Sequence, residues 1–263
     1  MTSFPQFPQF PQFPQSDGLV GSTAIVTGAS RGFGRAIATA LSAAGAHVVG
    51  VARGSSALDE LSDELGDSFT AVAADAADPA TASRLLDEYR PRTLVLCAGA
   101  APQMAPLQDQ TWESFSQNWN MDVAQAFHWT CYALRRPLAP GSTVIAMSSG
   151  AAVKGSPLSG GYAGAKSTVR FITSYAALES QRAGLGIDFV SVLPQLTPAT
   201  DLGAKAVAAY AERQGVDVET FVASSGPALS AEQVGKSALQ IADGDRGEHL
   251  AYLLTASGLA GLD

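Results

Sequence analysis

From Leu19 onward, short runs rich in β-branched residues alternate with longer, alanine-rich stretches of helical periodicity. Such apolar runs, bounded by turn residues, are typical of buried strands, and apolar positions at steps of three and four are typical of helices. The pattern predicts strands at residues 23–27, 47–52, 69–74, 93–97, 142–149, 187–193 and 249–255, and helices at residues 32–44, 55–65, 78–89, 111–135, 162–182, 201–214 and 231–242. Repeated strand, helix, strand units predict a single-domain α/β fold, a doubly wound parallel sheet of about seven strands flanked by helices. Ligands of such sheets bind beyond the carboxyl ends of the strands.

The longest predicted helix, residues 111–135, carries an apolar stripe made largely of aromatic residues. Phe115, Trp119, Val123 and Phe127 follow one another at steps of four, which places them on one face of a helix. We expect this stripe to be buried against the sheet.

The first residues have a different composition, because Phe-Pro-Gln occurs four times in succession between Phe4 and Gln15. Proline at every third position removes backbone donors and fixes φ, so the segment is expected to be extended polyproline II or disordered. We therefore divide the chain into a tail, residues 1–18, and one domain, residues 19–263. The tail is either a mobile extension without a part in the chemistry or a segment whose phenylalanines dock on a neighbouring subunit or over a pocket.

Composition excludes several classes of partner. The 263 residues, 46% of them hydrophobic, are enough for one sizeable core. A formal net charge of −8, without a run of Lys or Arg, argues against nucleic acid and against an anionic membrane surface. Cys97 and Cys131 lack metal spacing and a disulfide framework, so no metal site is expected and a reducing compartment is indicated. No stretch approaches the roughly 18 apolar residues of a membrane span, and the protein is expected to be soluble and cytoplasmic.

The loop between the first predicted strand and the first predicted helix is rich in glycine. It reads Thr27-Gly28-Ala29-Ser30-Arg31-Gly32-Phe33-Gly34. Glycines let a backbone turn tightly, approach a pyrophosphate and pack a helix on a sheet, and the helix N-terminus offers unpaired N–H groups to an anion. A three-glycine loop is a weak signal alone, but its position directly between strand and helix indicates a dinucleotide site. The alternative is a glycine-rich turn without a ligand.

A second group of residues can move a proton to or from a carbonyl oxygen. Tyr162 and Lys166 are four positions apart in a predicted helix, so they share one face. The Lys166 ammonium then favours the ionised form of the Tyr162 phenol, which lets the phenol exchange protons near neutral pH. Ser149, at the end of a predicted strand, can hold the same substrate oxygen by a hydrogen bond, whereas Ser148 lies on the opposite face of that strand. The alternative is a surface tyrosine and a solvated lysine at helical spacing.

The glycine loop from Thr27 to Gly34, the spacing of Ser149, Tyr162 and Lys166, and the order of these motifs resemble the short-chain dehydrogenase/reductase family from about Leu19 to the C-terminus. The resemblance implies a Rossmann-like sheet that binds NAD(P), with hydride transfer between the nicotinamide and an alcohol or ketone carbon. It implies that Tyr162 is the general acid in reduction, that Lys166 also holds the nicotinamide ribose, and that Ser149 orients the substrate oxygen. It further implies a homodimer or homotetramer built through the long helices.

The resemblance extends to further cofactor contacts, with two departures. Asp75 matches the adenine-contacting position of the family, although a plain turn carboxylate is the alternative. Cys97 stands where the family usually begins Asn-Ala-Gly, and since a thiol cannot make the two-sided hydrogen bonds of an amide, that loop must be braced differently. The family's Pro-Gly after the sixth strand is here Pro194-Gln195. The implied cofactor-binding set is Thr27, Gly28, Ser30, Arg31, Gly32, Phe33, Gly34, Arg53, Asp75, Ala76, Cys97, Ala98, Gly99, Tyr162, Lys166, Pro194, Leu196 and Thr197.

The most consequential departure lies in the long helix. Counting back five positions from Phe127, Asp122 stands where the family has its catalytic asparagine, so we place it in the predicted catalytic set. Asn118 and Asn120 are close in sequence, but we expect them to point elsewhere because two residues turn a helix by about 200°. A buried carboxylate near Lys166 would partly neutralise the ammonium, which predicts an active enzyme with a pH profile shifted to alkaline pH. The alternative is that Asp122 is ordinary and that the proton relay runs without it.

Cofactor choice depends on the end of the second strand. NAD-dependent members of the family commonly place an acidic residue there, whereas this chain reads Val51-Ala52-Arg53. Without a carboxylate to repel a 2′-phosphate, Arg53 can pair with it and Arg31 can reach the same group, so NADP(H) is predicted over NAD(H). Either arginine could instead be a solvent-facing residue.

The expected pocket walls are residues 100–107, 150–161 and 195–226, which are rich in Ala, Gly, Ser and Pro and carry few charges. They predict a neutral, fairly apolar small molecule as the substrate of an NADP(H)-dependent oxidoreductase that interconverts a ketone or aldehyde and an alcohol. Two other classes stay open. One is a catalytically weak, cofactor-binding sensor or regulator, and the other is an interaction protein recruited through the tail.

Overall fold

The computed structural model describes residues 18–245 and 247–262, and the Phe-Pro-Gln repeats lie outside them. The strands are β1 Thr23–Thr27, β2 His47–Ala52, β3 Phe69–Ala73, β4 Thr93–Leu96, β5 Thr143–Met147, β6 Asp188–Pro194, β7 Ala251–Thr255 and β8 Gly258–Leu262. The helices are α1 Gly32–Ala43, α2 Ser56–Leu65, α3 Pro79–Tyr89, α4 Trp112–Asn118, α5 Ala124–Arg135, α6 Ala151–Lys154, α7 Gly160–Ala183, α8 Asp201–Gln214, α9 Val218–Ser224 and α10 Ala231–Ala242. One π-helical segment, Trp119–Val123, joins α4 to α5.

The strands form one sheet in the order β3-β2-β1-β4-β5-β6-β7-β8. Neighbours from β3 to β7 pair in parallel, and this confirms the predicted doubly wound α/β fold. The count differs from the prediction, because β8 returns along β7 as an eighth, antiparallel edge strand. The strand order reverses between β1 and β4, and such a reversal opens the ligand crevice of these sheets.

Helices cover both faces of the sheet, so the central strands are apolar on both sides. Ile37 and Leu41 of α1 pack with Val234 and Ile241 of α10 in the core cluster on one face. On the other face, Trp129 of α5 packs in a second cluster with residues of α3 and α7. These two cores hold the carboxyl ends of β1, β4 and β5 in fixed positions beside each other. No helix in the described part of the chain is long and apolar enough to cross a membrane.

The predicted elements begin and end within two residues of the observed ones, but two short α-helices and one strand of the described chain were missed, as were two 3-10 turns at Gly66–Ser68 and Leu107–Asp109. The short helices α6 and α9 and the strand β8 had no clear periodic signal. Helix α9 begins after Asp217, whose Oδ1 accepts the Thr220 N–H at 2.7 Å. Strand β8 contains two glycines in five residues, and glycine is disfavoured in strands.

The prediction that the stripe of the long helix is buried is wrong. Trp119 and Phe127 are 41% and 49% exposed. The face turned to the sheet is instead the one that carries Asn118, Asp122 and Gln125, which are all buried. This polar face is turned inward, and its side chains form hydrogen bonds with the loop after β4.

Candidate active site

The glycine loop after β1 has the backbone that a dinucleotide phosphate requires. Gly28 and Gly32 adopt positive φ values of 71° and 55°. A Cβ on Gly28 would lie 2.8 Å from the Ala98 Cα, and one on Gly34 would overlap the Gly28 carbonyl oxygen. Helix α1 begins at Gly32, inside this glycine-rich segment, and no side chain caps its first turn. The free N–H groups and the positive end of the helix dipole therefore fit a pyrophosphate.

The loop after β4 is fastened to the end of β1 by buried polar groups. The Thr27 Oγ1 accepts the N–H groups of Cys97 at 2.9 Å and Ala98 at 3.2 Å, and it donates to the Gln125 Oε1 at 2.5 Å. The Gln125 Nε2 donates to the Ala98 carbonyl oxygen at 2.9 Å. Thr27 was predicted to contact the cofactor, and the structure shows its hydroxyl engaged inside the protein. Sequence analysis gave no signal for Gln125.

Lys166 projects from the first turns of α7 into a buried position at the end of β5. Its Nζ donates to the Met147 carbonyl oxygen at 2.9 Å and lies 2.9 Å from the Asp122 Oδ1. The same Nζ lies 5.7 Å from the centroid of the Tyr162 ring. The structure thus brings together Lys166, Tyr162 and Asp122, as their positions in the sequence indicated.

Two opposing effects act on the Lys166 ammonium. Burial works to lower its pKa, but the Asp122 carboxylate, and after it the Tyr162 phenol, outweigh burial and hold the pKa above its ordinary value. Lys166 is therefore a permanent cation at neutral pH. It can stabilise negative charge on the phenol oxygen while it is paired to a carboxylate.

Asp122 uses its two carboxylate oxygens differently, one in hydrogen bonds and the other in an ion pair. Its Oδ2 accepts the Ala100 N–H at 3.0 Å and the Asn118 Nδ2 at 3.2 Å, and its Oδ1 faces Lys166. The Asn118 Nδ2 also donates to the Ala100 carbonyl oxygen at 2.7 Å. The expectation that Asn118 points elsewhere is therefore wrong, because residues 118 and 122 are one helical step of four apart and share a face. Asn120 is exposed.

The two serines after β5 have different surroundings. The Ser148 hydroxyl is buried and donates to the Lys166 carbonyl oxygen at 2.8 Å. The Ser149 hydroxyl is half-buried and accepts the Ala151 N–H at 3.2 Å. Ser149 is thus the serine with a proton free to donate toward a substrate oxygen, and Tyr162, also half-buried, lies in the first turn of α7.

Most of the residues predicted to contact the adenine half of the cofactor follow the strands β2 and β3. Arg53 is exposed directly after β2, and among residues 18–245 and 247–262 it has no ion-pair partner. Arg31, also exposed, lies 3.7 Å from the Asp201 carboxylate at the start of α8. Asp75 accepts the Ala77 N–H at 2.9 Å, so it forms the turn proposed as its alternative, and the Ala76 carbonyl oxygen accepts the Trp129 Nε1 at 2.8 Å. Both arginines remain accessible to a phosphate.

The remaining predicted cofactor residues occupy the loops around the crevice. The Pro194 carbonyl oxygen accepts the Gly150 N–H at 2.9 Å and so ties the end of β6 to the serine loop. Leu196 is exposed, whereas Thr197 is buried and donates to the Leu229 carbonyl oxygen at 2.6 Å. Gly99 lies against the Asp122 carboxylate, which a Cβ at that position would meet at 2.8 Å. Ser30 and Phe33 are half-buried at the glycine loop.

Cys97 does not replace the chemistry of the family's asparagine. Burial raises the pKa of its thiol to about 11, although the Lys166 ammonium opposes this rise, and the Asp122 carboxylate adds a smaller rise. The thiol is therefore protonated at neutral pH and is a poor nucleophile. Its loop is held by Thr27, Gln125 and Asp122 instead, which is the different bracing that the sequence required.

A family model described as short chain dehydrogenase matches residues 22–211. The chain belongs to this family, a class of oxidoreductases that interconvert carbonyl and alcohol groups with a nicotinamide cofactor. It is 32% identical to L-xylulose reductase of Mesocricetus auratus over 62% of this chain and 67% of that protein. It is 30% identical to sorbitol dehydrogenase of Cereibacter sphaeroides over 66% and 70% of the two chains. Its fold resembles 3-ketoacyl-(acyl-carrier-protein) reductase from Brucella melitensis in complex with NADH, with a TM-score of 0.70, 22% identity, and 85% and 91% of the chains covered.

Proposed function

We propose that this protein is an NADP(H)-dependent oxidoreductase that reduces a neutral, fairly apolar ketone or aldehyde to its alcohol, or catalyses the reverse reaction. The observation that carries the proposal is the position of the Lys166 ammonium, buried between the Asp122 carboxylate and the Tyr162 ring. A cation in this place favours negative charge on the phenol oxygen and so makes the phenol a useful proton donor and acceptor. It lies beside the crevice at the reversal of strand order, where a nicotinamide cofactor of this fold binds.

The roles of the residues follow from this arrangement. A bound nicotinamide supplies a hydride to the substrate carbon in reduction and accepts one in oxidation. In reduction, the Tyr162 hydroxyl gives its proton to the carbonyl oxygen as negative charge develops there, and Lys166 stabilises the resulting phenolate. Ser149 donates a hydrogen bond to the same oxygen and fixes its position. Asp122 holds Lys166 and the Ala100 N–H in place, so it acts through other groups rather than on the substrate.

The preference for NADP(H) rests on Arg53. This side chain is exposed at the end of β2, and its guanidinium can pair with a 2′-phosphate without first breaking an ion pair. Arg31 can add a second contact, since its pair with Asp201 is exposed and such surface pairs are weak.

Replacement of Arg53 by alanine tests the preference. We expect Arg53→Ala to raise the Kd for NADPH about tenfold, the effect of losing one charged hydrogen-bonding partner, and to leave the Kd for NADH unchanged. Fluorescence titration of the two cofactors measures both values. Arg92→Ala serves as the control, because Arg92 is exposed at the opposite end of the sheet before β4. Tighter binding of NADH than of NADPH by the wild-type protein would refute the proposal.

The substrate class rests on the walls near β6 and α9. A small cavity there is lined largely by apolar side chains, among them Leu196, Pro198, Val207 and Phe221, and none of its lining residues is charged. Two of the proteins named above, L-xylulose reductase and sorbitol dehydrogenase, are called after a ketose and a sugar alcohol, so a panel should contain both apolar ketones and ketoses. We expect NADPH consumption to be faster with the apolar ketones. Faster NADPH consumption with ketoses would contradict the assignment of an apolar substrate, but it would not contradict the proposed carbonyl reduction.

A further inference from the structure

The floor of the proposed cofactor crevice consists of two loops that touch. One is the glycine loop after β1 and the other is the loop from Cys97 to Ala100 after β4. They approach so closely that a Cβ on Gly28 would lie 2.8 Å from the Ala98 backbone nitrogen and Cα. Since β1 and β4 are the strands between which the order reverses, a change in the spacing of these loops changes the crevice itself.

The buried side chain of Gln125 connects the two loops. Gln125, on α5, is 2% exposed. One end of its amide accepts from the Thr27 hydroxyl at 2.5 Å, and the other end donates to the Ala98 carbonyl oxygen at 2.9 Å. Both ends of the amide are therefore used, and a buried polar group satisfied in this way is costly to disturb.

We propose that Gln125 is a positioning residue for the dinucleotide crevice and that it provides the two-sided amide bracing that Cys97 cannot. The inference rests on the proposed cofactor site but not on the substrate or the direction of the reaction.

The direction of the Thr27 hydroxyl explains how Gln125 acts. Because the hydroxyl proton is given to the Gln125 Oε1, the lone pairs of Oγ1 are left to accept the N–H groups of Cys97 and Ala98. The Gln125 Nε2 then fixes the carbonyl of the same Ala98 residue. The peptide groups on both sides of Ala98 are thus held in one orientation against Gly28.

Removal of the amide should leave these peptide groups free to rotate. The Thr27 hydroxyl would be left with the Val95 carbonyl oxygen, at 3.3 Å, as the acceptor for its proton. The Ala98 carbonyl oxygen would lose its only side-chain donor in the described part of the chain. The cofactor would then have to order the floor of the crevice when it binds, and this lowers its affinity.

Gln125→Met tests the proposal, because methionine has a similar length and cannot form either hydrogen bond. We expect the Kd for NADPH, measured by calorimetry without substrate, to rise about tenfold, while kcat at saturating NADPH stays within about threefold of the wild type. Gln125→Asn keeps an amide that is too short to span both partners, and it should raise the Kd to an intermediate value. It also provides a second variant if Gln125→Met does not fold.

Thr130→Val is the matched control, since Thr130 is a buried polar residue of the same helix and, among the described residues, it has no hydrogen bond to either loop. An unchanged Kd in both Gln125 variants would overturn the inference, and so would an equal rise in Thr130→Val, which would indicate a general disturbance of the core. A wild-type protein that binds neither NADPH nor NADH would instead contradict the proposed cofactor site.

Discussion

Asp122 joins three groups on which the site depends. Its carboxylate faces the Lys166 ammonium, the Ala100 N–H and the Asn118 amide, at 2.9, 3.0 and 3.2 Å. An ionised carboxylate can accept from all three donors, whereas an asparagine could accept on one oxygen only and would direct its own N–H groups toward other donors. An acceptor-only carboxylate at position 122 therefore suits the amide donor that Asn118 supplies one helical turn earlier.

Asp122→Asn tests the electrostatic part of this arrangement. Without the carboxylate, the positive charge of Lys166 acts undiminished on the Tyr162 oxygen. In the direction of alcohol oxidation, the Tyr162 phenolate must accept the proton of the alcohol, so we expect the rising limb of kcat against pH to move to lower pH, on the order of one pH unit.

Glu179→Gln, which removes a carboxylate paired to Arg182 on the surface of α7, should leave the profile in place. Identical pH profiles for the wild type and Asp122→Asn would show that Asp122 has no part in setting the charge at Tyr162.

The sequence predicted which residues of the proposed proton-transfer group lie together better than it predicted the residues that hold them in place. Tyr162, Lys166 and Asp122 could be placed together because two of them share a helical spacing and the third is fixed by its distance from Phe127. Gln125 could not be found in this way, since its partners Thr27 and Ala98 are distant in sequence and meet it only in the folded chain. The expected direction of Asn118 was wrong because residues four apart share a helix face, and Asn118 therefore meets Asp122.

At the scale of elements, the close approach of α4 and α7 positions Tyr162. Gly161 makes this approach possible, because a Cβ at this position would overlap the carbonyl oxygen of Phe115 in α4. Tyr162 follows directly, so its backbone is fixed by this contact. A glycine inside a helix otherwise costs stability, and its presence here is explained by the packing.

Gly161→Ala should therefore destabilise the protein, although alanine is the better helix former. We expect the free energy of unfolding in urea to fall by about 1–3 kcal/mol, the cost of forcing extra volume into a packed contact. Gly164→Ala is the control in the same helix, because its Cβ would lie 3.7 Å from Trp119, an ordinary contact distance. It should be neutral or stabilise by up to about 1 kcal/mol. Equal effects of the two substitutions would contradict this account of the packing.

Most elements could be predicted because their apolar residues recur at the period of a strand or a helix. The other elements lack such a period in the sequence. The buried parallel strands have continuous apolar runs, and helices such as α10 have a capping box at Ser230 and Gln233 that marks their start. The π-helical segment at 119–123 leaves no such mark in the sequence, and the apolar stripe on its outer face resembles a core stripe. What distinguishes the two faces is tertiary, namely the polar contacts that α4 and α5 make with the loop after β4.

At the scale of the whole molecule, the outer faces of two adjacent elements carry large apolar side chains. Trp119 and Phe127 are exposed on the segment from the π-helix to α5, and Phe171 and Tyr175 are 54% and 61% exposed on α7, where their rings stack at 6.2 Å. Large apolar side chains that are exposed together on neighbouring elements mark interaction sites. We propose that a second copy of the chain covers it, in a homodimer or homotetramer.

Phe171→Glu should place a charge in that interface and shift the protein toward a monomer in light-scattering measurements. Val218→Glu is the control, since Val218 is exposed on α9, away from the aromatic surface. A wild-type protein that is monomeric at micromolar concentration, or a Phe171→Glu variant with an unchanged molar mass, would contradict the assignment of this surface.

The proposed role of Tyr162, proton transfer in NADPH-linked carbonyl reduction, is tested by comparing the wild type with a variant that lacks the phenol hydroxyl. NADPH consumption is measured for the wild type and for Tyr162→Phe with the carbonyl compound that the wild type reduces fastest, after calorimetry has established that both proteins bind NADPH. We expect loss of the phenol hydroxyl to slow turnover about 10²- to 10⁴-fold while NADPH still binds. Turnover by Tyr162→Phe at the wild-type rate would contradict it.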